Sequence, residues 1–131
     1  MSQEHVELVR SIYADWERGD FSSSDWADPE IEFVFVGGPT PGRSTGAAAM
    51  AQAWREFLES WSRYHAEPEA FRDLDDGRVL VLIRGVARGR ASGLDVDLRN
   101  ANVFQIADGK VTRLALYSDS QQALEELGLE Q

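Results

Sequence analysis

Two asparagines in the segment LDVDLRNANVFQI, residues 94–106, are the polar side chains of this chain best placed to do chemistry. The segment alternates as a half-buried strand does, so Asn100 and Asn102 share a face with the apolar Leu98 and Phe104. A buried amide needs hydrogen-bond partners, and an amide on the core face of a sheet can form the wall of a ligand site. The pattern therefore predicts a pocket against this strand, without identifying a reaction.

Acid–base chemistry has one candidate group, centred on His65. Glu67 and Glu69 share its parity on a predicted strand, so the three would offer an acid–base pair if that face pointed inward. Pro68 leaves the parity open, and a solvated histidine is the favoured interpretation. The chain has no cysteine and only two histidines, which lie far apart, so no metal site and no cofactor is predicted.

Two further patterns favour ordinary structural interpretations. Residues 37–44 spell G-x-x-x-x-G-R-S, but Arg43 stands where a phosphate-binding loop needs lysine, and two prolines remove amide donors. A turn-rich loop is favoured there. Four arginines surround the turn at residues 91–93, and pairing with Asp95 and Asp97 across a hairpin is favoured over an anion site. These arginines are Arg84, Arg88, Arg90 and Arg99.

Composition bounds the class of protein. The 131 residues predict one domain over 1–131, with 43% hydrophobic and 27% charged residues as in ordinary globular chains. The formal net charge of -10 argues against nucleic acid or an anionic membrane as partner. The charged start MSQEHVELVR lacks an apolar signal region, and no run is apolar enough to span a bilayer. A cytoplasmic location is the default expectation.

Hydrophobic periodicity predicts an α+β fold, because helices come first and antiparallel strands follow. Such a long sheet closing over helices bends into a cone with a cavity at its mouth. Helices are predicted over residues 3–18, 20–26, 47–61 and 120–127. Strands are predicted over 31–36, 64–74, 78–91, 94–106 and 110–119, with a loop at 37–46 and turns at 75–77, 91–93 and 107–109. Pro68 predicts that the strand 64–74 is an edge strand or carries a bulge.

Four segments in this order resemble the nuclear transport factor two-like superfamily and its SnoaL-like domains. The resemblance implies a cone-shaped, strongly curved antiparallel sheet wrapped over N-terminal helices, with a central pocket and commonly a dimer through the outer sheet face. Members include isomerases, cyclases, epoxide hydrolases, dehydratases and binding domains, so the fold alone implies no single function. The segments are YADWERGDF, WADPEIEF, GRSTGAAAMAQAWREF and NVFQIADGKVTRLALYSD.

Residue by residue, the resemblance argues against the chemistry of the enzymes in this family. The isomerase tyrosine falls on Ile12, the isomerase base on Phe33, and the cyclase and hydrolase acid on Leu116. Alkyl and phenyl groups cannot exchange protons, so general acid–base catalysis at these positions is removed. The second isomerase acid falls on Asn102, whose amide can still donate a hydrogen bond to a ligand carbonyl.

The first functional hypothesis is therefore a binding domain for a small apolar molecule, with Asn102 as its polar anchor. The second is an isomerase, cyclase or dehydratase that uses an atypical acid, namely Glu69, Glu67 or Asp15. The third is a protein-interaction module whose cavity is filled by the tryptophans Trp16, Trp26, Trp54 and Trp61. The predicted apolar wall consists of Ile12, Trp16, Phe33, Met50, Trp54, Leu114 and Leu116.

A homodimer is also predicted. The outer parity of the last strands carries Ala101, Val103, Ala115 and Tyr117, which is apolar for a solvated face. Apolar surface of this kind is typical of an interface between subunits.

Overall fold

The computed structural model of the protein describes residues 2–17, 25–37, 41–74 and 76–129. Its helices and strands follow one another much as the hydrophobic periodicity of the sequence predicts. The fold is α+β, as predicted. In chain order its described elements are α1 (Ser2–Glu17), β1 (Ala27–Val36), β2 (Gly42–Thr45), α2 (Ala47–Glu59), β3 (Trp61–Asp73), β4 (Arg78–Gly89), β5 (Asp95–Ala107), β6 (Lys110–Tyr117) and α3 (Ser120–Glu126).

The described strands form one curved, unclosed sheet in the order β2-β1-β6-β5-β4-β3. The antiparallel run predicted for the four long strands is confirmed from β3 to β6. The sheet is nevertheless mixed, because β1 lies parallel to β6. A parallel pair needs a long crossover, and the whole chain from α2 to β5 supplies it.

Two local predictions around β1 need correction. Part of the loop predicted at 37–46 is the short strand β2, which pairs antiparallel with β1. Its side chains are mostly exposed, so no hydrophobic alternation marks it in the sequence. The helix predicted at 20–26 falls largely outside the described residues, and Asp25 and Trp26 form a turn that leads into β1. Position 75 of the predicted turn at 75–77 also lies outside them.

The outermost long strand, β3, carries the irregularity that Pro68 predicts. It lies at the sheet edge, and its register with β4 shifts between Pro68 and Ala70. The two strands approach very closely at Gly85, where an added Cβ would lie 2.1 Å from the carbonyl oxygen of His65. Only glycine permits this approach, so Gly85 fixes how β3 curves over its neighbour.

The inner face of the sheet packs against α1 and α2. Val9 and Ile12 of α1 are buried against strand residues that include Phe104 and Leu114. Helix α2 contributes Phe57, which stacks between two aromatic rings. Its ring centroid lies 4.9 Å from that of Phe35 on β1 and 5.4 Å from that of Trp54, one helical turn earlier. These contacts fix the distance between α2 and the sheet.

The outer face of the sheet is covered by α3, which corrects the basis of the predicted dimer patch. Ala101, Val103, Ala115 and Tyr117 are buried against Ala123 and Leu124 of this helix. The Tyr117 hydroxyl donates a hydrogen bond to Oε1 of Glu126 at 3.0 Å, and the Asp119 side chain caps α3 at its first turn. The apolar outer parity thus marks contact within one chain.

The start of β5 is less covered than the alternation suggests. Leu94 and Val96 have the parity of the core face, yet Leu94 is 67% exposed and Val96 is also exposed. The hairpin they belong to extends beyond the helices, so parity alone does not bury them.

The cover provided by α3 predicts a difference between two leucines. Leu124→Ala should lower the free energy of unfolding by about 2 to 5 kcal/mol, as truncation of buried leucines does. Leu94→Ala, the matched control, should change it by less than about 0.5 kcal/mol because the residue is exposed. Urea unfolding of both variants measures the difference, and equal losses would contradict the assigned role of α3.

Candidate functional site

A cavity of about 610 Å³ lies between α2 and the inner face of the sheet. It reaches the protein surface at exposed residues that include Ala51, Arg55 and Val96. All four tryptophans line it without filling it, which argues against a core packed shut by these rings. The site residues predicted from sequence that line the cavity are Trp16, Phe33, Met50, Trp54, Asn102, Leu114 and Leu116.

Ile12 is the exception among the predicted wall residues. It is 2% exposed, lies in the core cluster and is not among the residues that line the cavity. Its neighbour Tyr13 is the helix residue that meets Asn102. Adjacent side chains of a helix point in directions more than a quarter turn apart. An alignment that is displaced by one residue on α1 therefore selects a side chain on a different face of the helix.

Several lining residues escape the sequence reasoning. Aromatic side chains at helical or strand spacing are normally core residues, so nothing distinguishes those that face a cavity. Asn100 is different, because its parity with Asn102 is visible in the sequence and the two do share the cavity wall. The missed aromatic residues are Trp26, Phe35, Phe57, Trp61 and Tyr64.

The most buried polar contact on this wall joins Asn102 to Tyr13. Nδ2 of Asn102 donates a hydrogen bond to the Tyr13 hydroxyl at 2.6 Å, and Asn102 is only 6% exposed. Burial raises the pKa of Tyr13 above its ordinary value, although the hydrogen bond from Asn102 opposes this and the nearby Tyr64 adds to it. Tyr13 therefore remains a neutral phenol that can donate a proton to a hydrogen bond but cannot act as a base.

Tyr64 on β3 and Asn100 on β5 also line the cavity. Burial raises the pKa of Tyr64 to about 12, and the nearby side chain of Asn100 partly offsets the rise. Tyr64 lies edge-on to Trp54 and Phe57, and its ring centroid is 6.4 Å from that of Trp61. The buried Nε1 of Trp61 has no hydrogen-bond partner within the part of the chain that the structure describes.

Ionised groups occur only at the edge of the described cavity wall. Arg55 and Asp97 are exposed, carry opposite charges and line the opening. Deeper in, Phe33 and Leu116 occupy the positions where the resemblance would place a base and an acid. The interior therefore offers neutral hydrogen bonds and aromatic surface in place of general acid–base groups.

The acids considered as atypical catalytic groups lie elsewhere. Nε2 of His65 lies 3.0 Å from Oε1 of Glu67, and both side chains are exposed on the outer face of β3. Glu69 is also exposed, and Asp15 is partly buried on α1 without lining the cavity. The alternation that could have turned His65 inward instead turns it to solvent.

The glycine-rich segment and the arginine cluster have structural partners. Arg43 pairs with Glu32 at 3.3 Å, and Arg88 pairs with Asp95 at 2.8 Å as the hairpin pairing predicts. Arg90 donates hydrogen bonds to the backbone carbonyls of Glu59 and Trp61. These contacts tie loops and hairpin to the rest of the fold.

The described residues contain no group of three histidine, aspartate or glutamate side chains that could hold a metal ion. They also contain no helix long and apolar enough to cross a membrane.

The buried phenols predict an alkaline instability. The pKa values of Tyr13, Tyr64 and Tyr117 are all raised, chiefly by burial, whereas the unfolded chain loses phenolic protons near pH 10. Unfolding then releases protons, so the free energy of unfolding should fall as pH rises from about 10 towards about 12.

Ultraviolet absorbance of tyrosinate during an alkaline titration tests this directly. The folded protein should show little tyrosinate near pH 10, and Tyr64→Phe should make the loss of stability with pH less steep. Free ionisation of all three tyrosines near pH 10 in folded protein would contradict the burial described above.

Comparison with known proteins agrees with this architecture. A nuclear transport factor two-like protein from Burkholderia thailandensis has 22% identity and a TM-score of 0.79, with 94% of this chain and 96% of that chain covered. TerC, co-crystallised with polyporic acid, has 20% identity and a TM-score of 0.76, with 93% and 96% covered. A candidate isomerase from Bacillus subtilis has 21% identity and a TM-score of 0.67, with 98% and 95% covered. At these identities the likeness shows the fold alone.

No curated protein matches the sequence. The family model of the SnoaL-like domain matches residues 9–114, which is most of the chain. The chain therefore belongs to the SnoaL-like domain family.

Proposed function

We propose that this protein binds a small, neutral and largely apolar molecule in the cavity against β5. The observation that carries the proposal is an open space of about 610 Å³ whose wall is mostly aromatic and includes the buried amide of Asn102. Sites for small ligands are typically concave and apolar, with a few polar groups that fix orientation. The volume lies within the range of such sites.

Asn102, held by Tyr13, acts as the anchor for a carbonyl or hydroxyl oxygen. One N–H of Asn102 is used on Tyr13, which leaves a second N–H and the amide oxygen. Tyr13 is buried in the core and is not among the residues that line the cavity, so its hydroxyl positions the amide of Asn102. In an apolar cavity the unused N–H of Asn102 favours a ligand oxygen that accepts its hydrogen bond.

An isomerase, cyclase or dehydratase is the second candidate function. It is favoured by the neutral amide N–H of Asn102 on the buried part of the wall, which can stabilise a developing oxyanion. Against it, no carboxylate or histidine of the described residues lines the interior, and proton abstraction needs a positioned base. Turnover of a ketone that has an exchangeable α-proton, detected by proton NMR, would favour this candidate over binding alone.

The binding function predicts a specific effect of Asn102→Leu. The change should weaken binding of benzophenone, a neutral aromatic ketone, by about 1 to 3 kcal/mol because the ligand oxygen loses its donor. Gln105→Leu removes an exposed amide from the same strand and should leave binding unchanged. Isothermal titration calorimetry provides the measurement, and equal affinities in both variants would contradict the anchor.

Stability needs its own control because Asn102→Leu also leaves the buried Tyr13 hydroxyl without this partner. The single variant should lose about 1 to 3 kcal/mol of unfolding free energy. The double variant Tyr13→Phe with Asn102→Leu should recover much of that loss, since both polar partners are replaced by apolar groups. Binding should remain weak in the double variant, which separates anchoring from folding.

We also propose a homodimer through the part of the outer sheet face that α3 leaves uncovered. Val86 lies there, 45% exposed, on strands that carry both arginines and acids. An apolar centre with mixed charges around it suits a self-complementary contact. In sedimentation equilibrium the wild type should have a dimer mass and Val86→Glu a monomer mass; a monomeric wild type at micromolar concentration would rule the dimer out.

A further inference from the structure

The cavity wall carries two asparagine amides. Asn102 is the more buried and bonds to Tyr13, whereas Asn100 is half-buried and shares the wall with Tyr64. The asparagines lie two residues apart on one face of β5. Along a strand this corresponds to roughly 7 Å.

Asn100 also has hydrogen-bonding capacity to spare. An asparagine side chain offers two N–H donors and an acceptor oxygen, which is more than one neighbouring hydroxyl can satisfy. Trp61 nearby has a buried indole N–H without a partner among the described residues. The Asn100 end of the wall is therefore suited to an oxygen-bearing group of a ligand, as the Asn102 end is.

Two properties of the wall limit the rest of the ligand. Its deep part has no ionised side chain among the described residues, so a charged group there would be desolvated without a counter-ion. Flat surfaces of Trp54 and Phe57 stack on each other beside Tyr64. Aromatic walls of this kind favour planar ring systems.

We infer that the cavity binds a neutral, planar molecule with two hydrogen-bonding oxygens, one at Asn102 and the other at Asn100 beside Tyr64. The inference rests on the proposed binding function and deepens it by naming the ligand class, the para-hydroxyaryl ketones. In these compounds one benzene ring separates the hydroxyl oxygen from the carbonyl group, which is close to the spacing of the two asparagines.

Three probes test this class by calorimetry: benzophenone, para-hydroxybenzophenone and meta-hydroxybenzophenone, at a pH where the phenols are neutral. The para isomer should bind about five- to tenfold more tightly than benzophenone, which corresponds to one added hydrogen bond. The meta isomer, whose hydroxyl points away from Asn100, should stay within about twofold of benzophenone.

Variants assign the preference to the Asn100 end of the wall. Asn100→Leu should abolish the preference for the para isomer, measured as the ratio of the affinities of the two ketones for the same variant. Tyr64→Phe keeps the ring packing and should reduce the same preference, which covers the case in which Asn100→Leu does not fold. Asn102→Leu should weaken benzophenone and its para isomer alike.

The outcomes separate the ligand class from the binding function itself. Equal wild-type affinity for benzophenone and its para isomer would overturn the two-oxygen inference and leave the binding proposal standing. A para preference that survives both Asn100→Leu and Tyr64→Phe would overturn it as well. If none of the three ketones binds, the inference and the proposed function both fail.

Discussion

The burial of amide groups on the inner face of β5 is the constraint on which this structure depends. An amide removed from water must find partners within the protein, and Asn102 finds the hydroxyl of Tyr13. Tyr13 comes from α1, so this bond fixes the position of the helix relative to the centre of the sheet, while Tyr64 of β3 lines the cavity beside Asn100. The cavity lies beside these contacts because its other walls are aromatic rings too large to close together.

The same arrangement limits the chemistry of the site. The polar groups at the wall are neutral, because burial keeps Tyr13 and Tyr64 protonated and the asparagine amides do not titrate. Phenyl and alkyl side chains occupy the positions at which relatives of this fold would need an acid or a base, as at Phe33 and Leu116. A wall of this kind can orient and desolvate a ligand, whereas moving a proton would require a group supplied by the ligand itself or by water.

Much of this architecture can be predicted from sequence, because alternation along β5 separates its two faces and glycine turns mark the hairpins. Alternation does not show whether another element covers a given face of the sheet. Leu94 is exposed despite its core parity, whereas Ala101 is buried despite its outer parity because α3 lies over it. Asn102 is recognisable as a residue of the cavity wall from parity alone. Its partner is not, since the difference between Ile12 and Tyr13 depends on the rotation of α1 about its own axis.

The central claim is that the side-chain amides of Asn100 and Asn102, which lie on the cavity wall, contact a ligand. The most direct measurement follows their side-chain NH₂ resonances by proton–nitrogen NMR while para-hydroxybenzophenone is added. The account predicts that both pairs of resonances shift and saturate together, while the amide of Gln105 on the opposite face of the strand does not move. Saturable binding that shifts only exposed amides, with both asparagines unaffected, would contradict it.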